Sequence, residues 1–182
     1  MLLIRHAQSE WNEFFGRTRV DPGLPDPRLT AAGVRQAESA AAELARLGIR
    51  RLISSPYRRT LQTAAILSAR LGAPVEVDPL VRERCAFSCD QGSAPETLAR
   101  EWPELDFSHL PSLWWGGLIE SHASLARRCA QFRARLRGRS DAAEIAVVTH
   151  WGFIRCLTGL ELANAEHVRL DPGALGPAWE ED

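Results

Sequence analysis

The chain contains no lysine, and all 22 of its basic residues are arginine. That absence removes Schiff-base lysines and the P-loop lysine from the chemistry open to it. Any anion must be held by arginine, histidine, side-chain amides or backbone N–H groups, and the planar guanidinium fork suits phosphate oxygens. An excess of charge of either sign is also lacking. The net charge of -1 gives no global electrostatic reason to expect a nucleic acid or an anionic membrane as partner. Arg127, Arg128, Arg133, Arg135, Arg137 and Arg139 recur along one expected helix and its end, and with this balance they read as a solvated face. Cysteine is scarce. Cys85, Cys89, Cys129 and Cys156 are too few and too scattered for a secreted disulfide scaffold. Cys85 and Cys89 stand near Asp90 but lack the second half of a metal-binding set, so free thiols are expected and no metal. Arg155 breaks the longest apolar run, so no stretch approaches the 18 residues of a membrane span. Met1 to Ile4 is too short and wrongly flanked for a signal peptide. A cytoplasmic, reducing setting is the expectation.

What is present is the composition of a soluble globular chain, 45% apolar and 25% charged over 182 residues, most simply one domain over 1–182. Apolar Leu2 to Arg5 reads as a first strand, followed by a Gly/Pro/Asp-rich loop over Gly16 to Arg28 whose prolines and glycines exclude regular structure. Thr30 is placed as the N-cap of an Ala-rich helix stopping at Gly48. "RRLISS" is a second strand, and Ser55-Pro56 supplies an N-cap and an N1 proline to a helix running to Gly72. "PVEVDP" is a third strand, and Pro95 to Trp102 a short helix. The turn-rich "HLPSLWWGG" precedes a long amphipathic helix in "IESHASLARRCAQFRARLRG". "EIAVVTH" is an unbroken apolar run, hence a buried central strand of the parallel type. A helix over "GFIRCLTGLEL" and a short strand "HVRLD" follow, then an acidic, mobile tail over 172–182. Alternation of strand and helix points to an α/β fold, a three-layer α/β/α sandwich with a mainly parallel central sheet.

In such sheets ligands bind beyond the carboxyl ends of the strands. The first strand delivers Arg5-His6 there, the second Arg58 and Arg59, the "EIAVVTH" strand His150. Arg82, Glu83 and Arg84 follow the third strand. Two histidines, several arginines and a carboxylate thus converge on one rim, with no serine or cysteine poised beside a histidine. Phosphoryl transfer calls for such a set, because the transferring group spreads negative charge over its oxygens and is stabilised by fixed positive donors. An imidazole can attack phosphorus and a carboxylic acid can protonate the leaving alkoxide. His6 takes the first role, Glu83 the second, and Arg5, Arg59 and His150 form the oxyanion clamp.

"RHAQSEWN", "DPRLTAAGVRQA", "SSPYRRTLQTA", "VRER" and "THWG" occur in that order along nearly the whole chain. Together they resemble the histidine phosphatase superfamily, the phosphoglycerate-mutase-like fold. The resemblance implies His6 as the phosphorylated nucleophile and Arg5, Ser9, Asn12, Arg59 and His150 around the phosphate. It selects Arg59 over Arg58, places the acid at Glu83, and implies neither a metal nor a nucleotide cofactor. Ala7 stands where the family has glycine. Trp151 stands at the phosphate pocket where a small residue is usual. Glu83 is followed by "RCAFSCDQGSAPE", unlike the mutase pattern, and the chain is short, so a phosphatase acting on a small-molecule phosphate ester is expected. A phosphoglycerate-mutase-type phosphotransferase and a non-catalytic phosphate-binding module are the alternatives. Trp102, Phe107, Trp114 and Trp115 read either as a lid over the pocket or as a satellite hydrophobic cluster, the commoner arrangement. His109, His122 and His167 are assigned to the surface. Arg17, Arg19 and Arg28 border the Pro-rich loop, either steering anions or simply solvated.

Overall fold

The computed structural model describes residues 1–117 and 119–171. The acidic tail expected over 172–182 lies outside the described residues. Five strands, β1 (Leu2–Arg5), β2 (Arg51–Ser54), β3 (Val75–Val77), β4 (Ile145–Thr149) and β5 (His167–Arg169), form one sheet in the order β3-β2-β4-β1-β5. All pairs are parallel except β1 with β5. The helices are α1 (Glu10–Thr18), α2 (Ala31–Leu44), α3 (Arg58–Leu71), α4 (Pro95–Glu101), α5 (His122–Leu136) and α6 (Trp151–Thr158).

Strand alternation builds the two apolar layers. Leu2, Ile4, Leu52, Ala146 and Val148 face α2 and α3, where Ala37, Ala41, Leu44, Ala64 and Leu67 meet them. Leu3, Ile53, Ile145 and Val147 face the other way, against Leu125, Phe132, Phe153 and Leu157 of α5 and α6. Each of the five residues of β4 is buried, as its unbroken apolar run requires of a central strand. The architecture is the expected α/β/α sandwich with a mainly parallel sheet.

Several element ends differ from the sequence reading, each for a local reason. Residues 16–18, assigned to a loop, form the last turn of α1. Ser9 caps that helix in a capping box with Asn12, and Trp11 and Phe15 stack one turn apart at 4.4 Å. Helix α2 ends at Leu44, and Gly48 lies beyond it at φ +69, in the turn into β2. Helix α6 stops at Thr158 because Gly159 takes a left-handed conformation and its N–H closes on the Arg155 carbonyl at 2.7 Å. The long arginine-bearing helix is not wholly solvated. Arg128 and Arg133 fall on the inner face of α5 with Leu125, Cys129, Phe132 and Leu136. Arg128 pairs with buried Glu120 and Arg133 donates to the Leu157 carbonyl.

Helix α3 begins at Arg58, not at Ser55-Pro56, and its N-cap residue Tyr57 makes no side-chain cap. A distant carboxylate does that work. Asp26 Oδ1 accepts from Arg58 N–H at 2.9 Å while Oδ2 accepts from Ser93 N–H at 3.0 Å. Asp26 is 3% exposed, so removing it strands two N–H groups in a dry place. Asp26→Ala should cost about 2 kcal/mol, read as a lower urea midpoint with an unchanged m-value.

Candidate active site

The parallel register of β1 and β4 sets Arg5 opposite Thr149, and His6 N–H extends the ladder to the Thr149 carbonyl at 2.9 Å. His6 and His150 therefore leave adjacent strands side by side, their ring centroids 5.1 Å apart. Their chains then diverge, toward α2 on one face of the sheet and α6 on the other. The pair occupies a topological switch point, where such sheets open a crevice.

Both imidazoles are buried, His6 at 4% and His150 at 0% exposure. His6 Nδ1 lies 2.8 Å from the Ala7 carbonyl, which can only accept. Nδ1 therefore carries the proton and Nε2 keeps its lone pair. Burial, then Arg59 and Arg5, hold the His6 pKa well below the ordinary imidazole value. His150 is lowered likewise, by burial and then by Arg59 and His6. Its Nε2 meets Ser55 Oγ at 2.8 Å, and its buried Nδ1 has no partner among the described residues.

Arg5 gives Nη1 to the Leu162 carbonyl at 2.7 Å, and its Nε is likewise buried and unpartnered among the described residues. Arg59, 2% exposed, donates to the Cys89 carbonyl at 2.7 Å and to Asp90 Oδ1 at 3.1 Å. Asn12 Oδ1 accepts from Ser9 and from Asn164 Nδ2, which also donates to the His6 carbonyl at 3.0 Å. Gln36, Thr30 and Thr63 tie down the His6 loop: Gln36 Oε1 accepts from Gln8 N–H, Thr30 N–H donates to the Gln8 carbonyl, and Thr63 Oγ1 accepts from Ala7 N–H. A Cβ at Gly33 would collide with the Gln8 backbone carbonyl, so α2 can approach that loop only through glycine.

Glu83 is half-buried, with Oε1 accepting from Arg84 N–H at 2.8 Å and Oε2 from Gly152 N–H at 3.0 Å. Burial, then Asp90, push its carboxyl up, against the pull of the two N–H groups and of Arg59. A Cβ at Gly152 would strike this carboxylate, so the glycine of "THWG" makes room for Glu83. Beneath it Arg128 grips the carbonyls of Leu80 and Arg82 at 2.7 and 3.0 Å, fixing the segment that ends on Glu83.

All eight residues singled out from the sequence come together except His150, which lies just behind the surface of the cleft, in contact with His6. Arg5, His6, Ser9, Asn12, Arg59, Glu83 and Trp151 line a cleft of about 490 Å³. The arrangement offers an imidazole nitrogen with a free lone pair, a guanidinium N–H and a second imidazole nitrogen unpartnered among the described residues, and a carboxyl inclined to hold a proton. Among the described residues no three His, Cys, Asp or Glu side chains are placed to hold a metal ion. Cys85 and Cys89 are buried thiols.

Sequence reasoning missed Asp90, Asn164, Phe15 and Phe87. Asp90 stood beside a cysteine pair that drew attention to metal binding, and nothing in the spacing marked Asn164. Trp102, Phe107 and Trp114 form no lid. They are buried with Tyr57, Leu61, Leu98 and Leu110, with Trp115 packed alongside. The rings that line the cleft are Trp11, Phe15, Phe87 and Trp151. Arg19 also lines it, whereas Arg28 pairs with Glu101 at 2.6 Å.

Arg59 and Asp90 are each 3% exposed in their side chains, so deleting one charge leaves the other buried and unpaired. Asp90→Ala should cost about 3 kcal/mol, a fall in Tm of roughly 10 °C by calorimetry. A fall of under 2 °C would show that the pair carries no such weight.

The family model of the histidine phosphatase superfamily (branch 1) matches residues 1–175. Phosphoserine phosphatase 1 of Hydrogenobacter thermophilus is 31% identical over 159 residues, covering 82% of this chain and 70% of that protein. A Proteus mirabilis protein named "Probable phosphoglycerate mutase GpmB" is 42% identical over 81 residues, or 44% of this chain. That match spans only 36% of the mutase relative's length. Among solved structures, a mycobacterial glucosyl-3-phosphoglycerate phosphatase superposes with a TM-score of 0.62 at 24% identity, covering 92% of this chain and 87% of that one, a likeness of fold. The matched span takes in every residue of the cleft, and the chain belongs to the histidine phosphatase superfamily.

Proposed function

We propose that this chain is a phosphatase that hydrolyses phosphate monoesters through a phosphohistidine on His6. The observation that carries the reading is the fixed tautomer of His6. The Ala7 carbonyl accepts from Nδ1 and leaves a lone pair on Nε2, beside Arg5 Nε in the cleft and His150 Nδ1 just behind it, neither of which has a partner among the described residues. Buried polar nitrogens without partners are costly to a fold unless a ligand completes them. A phosphate would do so.

In the proposed reaction Nε2 of His6 attacks phosphorus in line and the P–O bond to the alcohol breaks. Glu83 gives its proton to the departing alkoxide. The Glu83 carboxylate then takes a proton from water, which attacks the phosphohistidine and releases inorganic phosphate with His6 regenerated. Arg5, Arg59, His150 and Asn12 hold the non-bridging oxygens, and Ser9 fixes Asn12. Arg5 and Arg59 supply the positive charge, so the scheme calls on no cofactor. The phosphoserine phosphatase relative, matched over most of its length, supports water as the acceptor over the alcohol that a mutase requires. A mutase assay with 3-phosphoglycerate separates the two, and net isomerisation there would reassign the activity. No helix among the described residues is long and apolar enough to cross a membrane, and a small phosphate ester fits the cleft as substrate.

His6→Ala should abolish turnover of 4-nitrophenyl phosphate and any acid-labile, base-stable phosphoenzyme seen on rapid quench. Intact activity in that variant would sink the proposal. The pH dependence follows from two opposite shifts. His6 must be neutral to attack, and its lowered pKa keeps it so to more acid pH than free imidazole. Glu83 must be protonated to act as the acid, and its raised pKa keeps the proton to higher pH than an ordinary carboxyl. For alkyl phosphates kcat/KM should therefore fall on the acid side as His6 protonates and on the alkaline side as Glu83 ionises. Glu83→Gln should remove the alkaline limb and cost about 10²–10⁴-fold on alkyl phosphates. The loss should be far smaller on 4-nitrophenyl phosphate, whose leaving group needs no proton. Equal losses on both esters would remove Glu83 from the role.

A further inference from the structure

The proposed chemistry uses one part of the cleft and leaves its four rings unexplained, three of which meet at one rim. Trp11 and Phe15 stack at 4.4 Å on α1, and Phe87 closes on them at 5.2 and 5.6 Å from the loop that follows Glu83. Phe87 remains 45% exposed, an apolar face left at the rim of a charged cleft.

The trio is fastened in place. Asp21 Oδ1 accepts from the Trp11 indole N–H at 3.0 Å, and the same carboxylate accepts from Ser88 N–H at 2.8 Å and from the Ser88 hydroxyl. One side chain thus holds both the tryptophan and the residue after Phe87. Slight burial works against its charge, but hydrogen bonds from Ser88, Gly23 and Trp11 outweigh this and bring the Asp21 carboxyl down to about 2. From the other side, Asp90 Oδ2 accepts from Phe87 N–H at 3.1 Å, while Oδ1 of that carboxylate holds Arg59. The ring wall is therefore anchored to the same aspartate as a residue of the proposed phosphate cage. A wall fixed before binding loses little freedom when a partner docks.

We propose that the alcohol portion of the substrate is an aromatic or heteroaromatic ring, seated against Phe87, Phe15 and Trp11. The proposal rests on the phosphatase reading and names its substrate class. Flat partners gain offset or edge contacts with such rings. A small polyhydroxy or amino-acid alcohol facing them would give up water without a hydrogen-bond partner in return. Arg19 lies over Phe15 with its guanidinium carbon 5.8 Å from the ring centroid, so a further negative group on the ring would also be met.

The test compares unactivated primary alkyl leaving groups, of which serine's is the least basic, so that reactivity does not imitate a preference for the phenylethyl ester. 2-Phenylethyl phosphate, butyl phosphate and phosphoserine are assayed on wild type, Phe87→Ala and Phe87→Tyr. Wild type should favour the phenylethyl ester over both others by about 10-fold in kcat/KM, mostly through KM. Phe87→Ala should lower kcat/KM for that ester about fivefold, through KM, and leave the other two within twofold. Phe87→Tyr, which keeps the ring, should retain the preference. Equal use of the three esters by wild type, or equal losses on all three in Phe87→Ala, overturns the ring assignment alone. No turnover of any ester, including 4-nitrophenyl phosphate, overturns the phosphatase reading and this proposal with it.

Discussion

The cleft depends on one constraint, the register of β1 against β4. Because Arg5 lies opposite Thr149 and His6 bonds to the Thr149 carbonyl, two imidazoles distant in sequence must emerge as neighbours. A slip of one residue would turn Leu2 and Ile4 into the opposite apolar layer and carry His6 away from His150. The second strand is held to the same frame, since Ser55 N–H bonds to the Val148 carbonyl at 3.1 Å and its hydroxyl meets His150. The histidines thus inherit their positions from the most buried part of the sheet.

Around them the protein gathers charge where burial opposes it. Arg59 is tolerated because Asp90 and the Cys89 carbonyl meet its guanidinium, which also lies over the Tyr57 ring at 4.3 Å. Burial, and after it the positive charges of Arg59 and Arg5, hold the His6 pKa well below the ordinary imidazole value. Asp90 in turn helps push the Glu83 carboxyl up. One ion pair therefore biases an imidazole and a carboxyl in the directions that the proposed attack and proton donation need. Arg5 Nε and His150 Nδ1, unpartnered among the described residues, cost the fold stability, and such a cost is borne only where the surroundings over-determine the arrangement. Gln36, Thr30 and Thr63 on the His6 loop, and Asp26 at the start of α3, supply that over-determination.

The strand ends were legible because their signals are local. An unbroken apolar run ending at His150 can only be a central strand, and Leu2 to Arg5 matches it. The cleft residues at those ends followed from the layout of α/β sheets and from the motifs of the family. What the sequence did not disclose depends on partners that meet only in three dimensions. Asp26 caps α3 across 32 residues, whereas the local pattern points only to the adjacent Ser55. Asn164 reaches Asn12 and the His6 carbonyl from a segment after α6 with no pattern of its own. Arg128 and Arg133 looked like members of a solvated stripe until helical geometry turned them inward. Among the aromatics, residue type alone did not separate Trp114, buried against Tyr57 at 4.6 Å, from Phe87 at the rim.

The departures from the family pattern bear on which alcohol fits. Ala7 is fully buried with its N–H on Thr63, and its methyl group packs into the apolar layer facing α2 and α3, away from the cleft's lining. Trp151 is different. It opens α6 directly before Gly152, the residue that admits the Glu83 carboxylate, and its ring lies under Arg155 at 5.1 Å. Outside the imidazole and arginine set, the cleft's lining includes four rings, Trp11, Phe15, Phe87 and Trp151, and two further guanidinium groups, Arg19 and Arg84, beside polar Ser9, Asn12, Asp90 and Asn164. Rings and guanidinium planes are both flat, and both hold flat partners by stacking. The elements divide the work accordingly. Strand ends fix the atoms that would meet phosphorus in the proposed reaction, while α1, the loop after Glu83 and the first residue of α6 shape the space that the proposal leaves to the alcohol. Changing the latter can alter which ester is chosen without disturbing the register that places His6 beside His150.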